Sequence, residues 1–208
     1  MNSKIEKIEK FIQSLSKYAY SDNMTNLYRG NSIESQIRRK NLKLYLEKMI
    51  KLNPSLLLLG EAPGYKGCRL TGIPFSSEKV ISNNVFFKNQ GFAFINGINE
   101  LESEISATIV WNELMNYSDK PLIWNIFPFH PHNPNDTKTN RTPTQNELVL
   151  GKKYLKLLLE IFDIKKILAL GRKSESQISD LGIEYAYVRH PANGGKKEFI
   201  KGLKRELK

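Results

Sequence analysis

The chain has 208 residues, 40% of them hydrophobic and 25% charged, with one cysteine and a formal net charge of +11. That length suits one α/β domain or at most two small ones, at roughly 100 to 200 residues each, and a mean hydropathy of -0.44 excludes a disordered or membrane-embedded chain. No apolar run approaches the roughly 18 residues that span a bilayer, and the opening MNSKIEKIEKF lacks a secretory pattern, so a cytoplasmic location is expected. Cys68 alone rules out a disulfide framework, a four-cysteine zinc site and a cysteine-ligated iron-sulfur cluster.

Taken in chain order, Ile5, Ile8, Phe11, Ile12, Leu15 and Tyr18 recur at helical spacing and predict an amphipathic helix. Asn31 and Glu34 have the spacing of a capping box, and Ile33, Ile37, Leu44, Met49 and Ile50 carry a second helix to the stop at Asn53-Pro54. The N-terminal helices therefore occupy about residues 3–51. Ser55 to Leu59 is a short apolar run ending at Gly60, the pattern of a strand buried on both faces. Leu122 to Phe127, Lys166 to Leu170 and Glu184 to Val188 repeat it. Between them lie helical patterns over about Glu100 to Tyr117, from a Thr144/Glu147 capping box to about Phe162, after Gly171, and from Lys196 to Leu207. Strands alternating with helices predict a single α/β domain over 1–208, a three-layer α/β/α sandwich around a mostly parallel four-stranded sheet. Pro128 to Pro143 is a long irregular stretch, and such loops are usually functional or mobile.

Ligands of open parallel sheets bind beyond the carboxyl ends of the strands. The segments found there are GEAPGYKGCRLTGIPF (60–75), NIFPFHPHNPNDTKTNRTP (125–143), GRKS (171–174) and RHPANGGKK (189–197), which would converge into a glycine-lined polar pocket. A phosphate loop is excluded because no Lys-Ser/Thr pair follows Gly60 to Gly67, and there is no G-x-G-x-x-G. No G-x-S-x-G elbow serves a serine hydrolase. His130 and His132 lack a third ligand, so no metal site is expected. Charge is uneven: residues 1–55 carry 11 basic and 5 acidic groups, 56–188 carry 14 of each, and 189–208 carry 7 against 2. Basic ends fit either a polyanion-binding surface or plain solvated lysine faces.

Together these loops resemble the uracil-DNA glycosylase superfamily. GEAPG and the later TGIPF are similar to the opening motif of its iron-sulfur bacterial and archaeal branches. Asn125 with Asn140-Arg141-Thr142-Pro143 resembles the base-reading segment, and His190-Pro191 the His-Pro loop; the correspondence runs from about Ser55 to Lys197. The resemblance implies a monofunctional DNA glycosylase of base excision repair, with DNA as partner and no metal or other cofactor. It would flip out uracil or a related altered base and hydrolyse its N-glycosidic bond. Phe75 would stack on the base, Asn125 would hydrogen-bond its Watson-Crick edge, and His190 would donate to the pyrimidine O2 as charge develops there. Gly60, Ala62 and Gly64 would line the pocket, and Glu61, the first loop's only carboxylate, would position water or stabilise the oxocarbenium sugar. Lys66, Arg69, Asn140, Arg141, Lys196 and Lys197 would contact DNA.

Purely structural roles stay open: Phe75 as core, Asn125 as a strand-end cap, Glu61, Asn140 and Arg141 as loop braces, and His190 as a satisfied loop histidine. The chain lacks the four cluster cysteines of the iron-sulfur branch. Ala62 stands where the best-known branch has a catalytic Asp, and Gly64 where that branch has a Tyr that screens out the thymine methyl, which leaves room for a 5-substituent. Hypoxanthine or a 5-modified pyrimidine therefore remains an alternative substrate, and a DNA-binding module without catalysis or a small-nucleotide enzyme an alternative class.

Overall fold

A computed structural model describes residues 2–19 and 21–207 of the chain. Helix α1 (Asn2–Lys17) buries Ile8, Phe11, Ile12 and Leu15, the one-sided stripe that a 3.6-residue period produces. The short strand β1 (Met24–Thr25) precedes α2 (Ile33–Leu52), which starts one residue later than a cap at Asn31 would dictate. Ser32 is the N-cap and its hydroxyl accepts from the Ser35 N–H, so Glu34 falls in the first turn and is no capping-box partner. At the other end Asn53 adopts a left-handed φ of 48°, and Pro54 prevents continuation.

Strand β2 (Leu56–Gly60) leads through the short helices α3 (Cys68–Thr71) and α4 (Glu78–Asn83) to α5 (Ile105–Leu114). Then come β3 (Leu122–Asn125), β4 (His130–Pro131), α6 (Gln145–Leu159), β5 (Lys166–Leu170), α7 (Arg172–Glu175), β6 (Glu184–Val188) and α8 (Lys196–Glu206). At α6 the Thr144/Glu147 capping box forms with both of its hydrogen bonds. The helix expected from Glu100 begins only at Ile105, because residues 95–102 are drawn aside by a buried carboxylate. Glu78 Oε1 accepts from the Ile95 and Asn96 N–H groups, and its Oε2 from Asn96 Nδ2 and the Glu102 N–H.

The four long strands form one parallel sheet in the order β3-β2-β5-β6, flanked by helices. β2, β3 and β5 are buried nearly throughout, whereas β6 is an edge strand with Glu184 and Tyr185 exposed. Beyond Asn125 the β2–β3 ladder continues as single bonds from Ile126 N–H to Gly60 O and from Phe127 N–H to Glu61 O. α1 and α2 rest against β3: the Phe11 ring lies 5.4 Å from Trp124, and the Ile123 N–H donates to Tyr45 Oη at 2.8 Å. α6 packs so closely that a Cβ on Gly151 would lie 2.0 Å from Ile126 O. None of the described helices is long and apolar enough to cross a membrane.

The stretch from Pro128 to Pro143 is pinned. Its β4 pairs antiparallel with β1, matching Met24 to Pro131 and Thr25 to His130. His130 is buried, with Nδ1 at 2.8 Å from Pro63 O and Nε2 at 3.1 Å from Thr137 O. Burial pushes its pKa down to about 4, against the opposing pull of the two carbonyl oxygens that face its ring nitrogens. His132 meets Thr25 Oγ1 and Asn133 O. Both histidines are structural, and among the described residues no group of three or more His, Cys, Asp or Glu could hold a metal ion.

Candidate active site

The order β3-β2-β5-β6 reverses direction at β2, and the chain segments leaving all four strands line one cleft of about 930 Å³. From β2 come Glu61, Ala62, Gly64 and Lys66; from β3, Asn125, with Asn140 and Arg141 further along; from β5, Leu170, Gly171 and Arg172; from β6, Arg189 and His190. Phe75 and Glu104 reach the same cleft from the segment after β2.

Gly60 explains why the floor is so tight. It pairs in register with Asn125, and a Cβ there would lie 2.2 Å from Phe75 Cε2 and 2.6 Å from Asn125 Oδ1. Only glycine lets the Phe75 ring and the Asn125 amide close over the strand end. Phe75 itself has a φ of 48°, a left-handed conformation that costs a non-glycine residue about 1–3 kcal/mol. Trp111 Nε1 donates to its carbonyl at 2.9 Å and holds it there. The ring stands 5.7 Å from that of His190, tilted by 44°.

Asn125 is 2% exposed, and its Oδ1 is buried with no hydrogen-bond partner. Its amide makes no hydrogen bond within the described chain, so it caps nothing. A buried amide oxygen left unpaired costs about 1–3 kcal/mol, and nothing else in the described chain satisfies it. His190 Nδ1 accepts from the Ala192 N–H at 3.1 Å. Burial, reinforced by Arg189, lowers its pKa below the ordinary imidazole value, so the ring is neutral at pH 7. With Nδ1 an acceptor, the proton sits on Nε2, which has no partner among the described residues.

The remaining expected residues divide. Glu61 Oε1 lies 3.7 Å from Lys173 Nζ, and Lys173 also donates to Thr142 Oγ1, tying together three of the loops. Ala62 lines the cleft with no acidic function to offer. Asn140 braces the first loop, its Oδ1 accepting the Tyr65 N–H at 3.0 Å. Arg141 spends all five N–H donors internally, on His132 O, Thr142 O, Asn23 O and both Glu147 oxygens. It lines the cleft yet has no donor left for a phosphate. Lys66 is exposed at the rim and 3.8 Å from Glu102. Arg69 is half-buried, donates to Tyr65 O and lies outside the cleft lining. Lys196 and Lys197 are exposed on the first turn of α8, also outside it.

Gly64 leaves no open space. A Cβ there would meet the Glu104 carboxyl at 3.1 to 3.4 Å, so the room expected beside it is already filled. Glu104 escapes notice in the sequence because it sits among Glu100, Glu102 and Ser103, a stretch that reads as a solvated surface. Arg172 and Arg189 also reach the cleft, each directly following a strand end or its glycine. Arg172 stacks on Tyr187 at 4.3 Å, and Arg189 has no carboxylate partner among the described residues.

The sequence profile of the Uracil DNA glycosylase superfamily matches residues 47–203, well over half of the chain, and the chain belongs to that superfamily. Among solved structures it is similar to SMUG2 of Pedobacter heparinus, with a TM-score of 0.69 and 16% identity over 96% of each chain, which is a likeness of fold. No curated protein matches the chain. At the level of the family, the protein is a DNA glycosylase.

Proposed function

We propose that this protein removes uracil or a closely related altered base from DNA by hydrolysing the N-glycosidic bond of an extruded nucleotide. The observation that carries the reading is the unpaired Asn125 amide beside the Phe75 ring, with the His190 Nε2–H free across the same cleft. A pyrimidine stacked on Phe75 presents an N–H and a carbonyl to Asn125, the two functions an amide complements. As the C1′–N bond breaks, its electron pair passes to the base and negative charge gathers on O2. A neutral imidazole N–H directed at that oxygen stabilises the charge without a proton having to be acquired first. Water then adds to C1′ of the oxocarbenium sugar and loses a proton to solvent, which in turn protonates the departing base anion. Glu61, paired with Lys173, is the carboxylate proposed to position that water.

Extrusion is required because no side chain reaches the glycosidic bond of a stacked base. Lys66, Arg172 and Arg189 at the rim are the cations proposed to hold the flanking phosphates. The test is a panel of oligonucleotides, each carrying one uracil, hypoxanthine or 5-modified pyrimidine. Alkali-labile abasic sites in the uracil strand are expected. Retardation of the DNA without base release would instead identify a binding module.

A further inference from the structure

Half-buried positive charge lies just outside the cleft, and the reading above gives it no task. Arg69 is on α3, four residues beyond Tyr65, which lines the cleft; its Nε donates to the Tyr65 carbonyl at 3.0 Å. Asn140 in turn accepts the Tyr65 N–H, so Arg69 is fixed relative to the rim. Arg38 is on α2 against the end of the same short helix, where a Cβ on Gly72 would lie 2.8 Å from Arg38 Cα. Both side chains are half-buried. Arg38 Nη1 reaches Leu27 O only at 3.4 Å. Its Nη2 and both Nη atoms of Arg69 are neither buried nor hydrogen-bonded among the described residues.

No carboxylate among the described residues lies within ion-pair distance of either guanidinium. Glu34 and Glu102 act on them only from farther away, and Glu102 stands 3.8 Å from Lys66. Burial lowers both pKa values below the ordinary guanidinium value, and the charge of Arg69 lowers that of Arg38 further. Like charges held partly out of water without a counter-ion are unfavourable by themselves. A solvated lysine face carries no such cost, because its ammonium groups stay in water. An anion between the two arginines would supply both the opposite charge and acceptors for the open N–H groups.

We propose that Arg38 and Arg69 form a phosphate-binding site outside the cleft, which holds the DNA backbone where the strand runs past the Tyr65–Lys66 rim. Arginine suits that ligand because its planar fork presents paired N–H donors to phosphate oxygens. The site makes the footprint one-sided. It extends the contact on the Lys66 side, whereas Arg172 and Arg189 stand on the β5–β6 side. The proposal rests on the base-release reading only in that the partner is DNA.

The experiment walks a single neutral methylphosphonate along the uracil strand of a duplex and measures the affinity of the whole protein at each position. The uracil nucleotide carries a 2′-fluorine, which withdraws electrons from C1′ and keeps the base attached. Wild type is expected to show two groups of sensitive positions, one flanking the uracil and one farther out on one side only, with losses of about 10-fold. In a protein carrying Arg38→Gln and Arg69→Gln the outer group should lose its effect, and the slope of log affinity against log salt should fall by about one. Arg38→Lys with Arg69→Lys restores the charge without the fork and should recover the slope, which a merely structural role would not do. Sensitivity confined to the phosphates next to the uracil overturns the proposal, as does an outer group that persists in the glutamine protein. Should the double variant not fold, each single glutamine variant is read in the same way. Release of uracil from the unfluorinated duplex is followed in parallel. A protein that shows the outer group but releases no base keeps this site and loses the base-release reading; one that releases base without an outer group loses this site alone. One that binds no duplex loses both.

Discussion

Asn125 and His190 hold donors and acceptors that the protein itself does not use, and that shared property makes them the residues whose loss should be most visible. Replacing either by Ala is expected to lower base release about 100- to 1000-fold, the usual cost of losing one preorganised contact to developing charge. Thermal melting should barely change, because neither side chain carries a hydrogen bond that braces one element on another. Near-normal turnover in a folded Asn125→Ala or His190→Ala protein would remove that residue from the mechanism. Gly60→Ala should be as damaging without touching either group, since its Cβ would enter the space of the Phe75 ring; full activity there would mean the ring and amide do not act together. Phe75, Asn125 and His190 meet in one cleft as the sequence expects of segments leaving parallel strands: Asn125 ends β3, His190 stands two residues after β6, and Phe75 lies further along the segment after β2. Glu104 was not legible in the sequence, because its burial comes from Gly64 and Gly67 some forty positions earlier, a long-range contact that no local pattern announces.

Elements were readable where local chemistry and tertiary packing agree. The Thr144/Glu147 box starts α6 where expected, and the apolar runs at β2, β3 and β5 are buried as their composition demands. The helices α3 and α4 are too short to show a period, and the β1–β4 ribbon has two residues a side, so neither left a trace. That ribbon and His130 turn the long loop into a fixed wall. The His130 pKa falls from 6.5 to about 4, so the folded state holds the neutral ring while the unfolded chain takes up a proton below 6.5. Its contribution is complete above pH 6.5 and is lost as pH falls toward 4, by roughly 3 kcal/mol. Melting temperature should therefore drop more steeply across that window in wild type than in His130→Gln. Parallel curves would show that the ring is not held neutral. Gly151→Ala should destabilise α6 by about 1–3 kcal/mol, despite the better helix propensity of alanine, because Ile126 O occupies the space of the new methyl. A raised melting temperature would mean the helix can withdraw at little cost.

Across the whole molecule, the basic C-terminal stretch 189–208 is divided with respect to the cleft, which its Arg189 lines. Lys196 and Lys197 lie on α8 outside its lining, while Lys66, Arg172 and Arg189 stand on its rim. Arg189→Ala is accordingly expected to weaken DNA binding for all sequences alike and to lower the slope of log affinity against log salt by about one. Lys196→Ala with Lys197→Ala should change the slope less, and the opposite ranking would put the DNA path along α8. The sheet order was not legible, since short apolar runs specify strands but not their neighbours. The convergence of four strand-end loops was, because parallel strands must all end on the same edge. What that convergence is for is tested most directly by single-turnover release of free uracil from a uracil-containing oligonucleotide, comparing wild type with Asn125→Ala at protein concentrations that saturate the DNA. The account predicts release by wild type, and a rate at least about 100-fold lower in a variant that still folds and still binds. Saturated wild-type complex that liberates no base, or equal release by the two proteins, would contradict it.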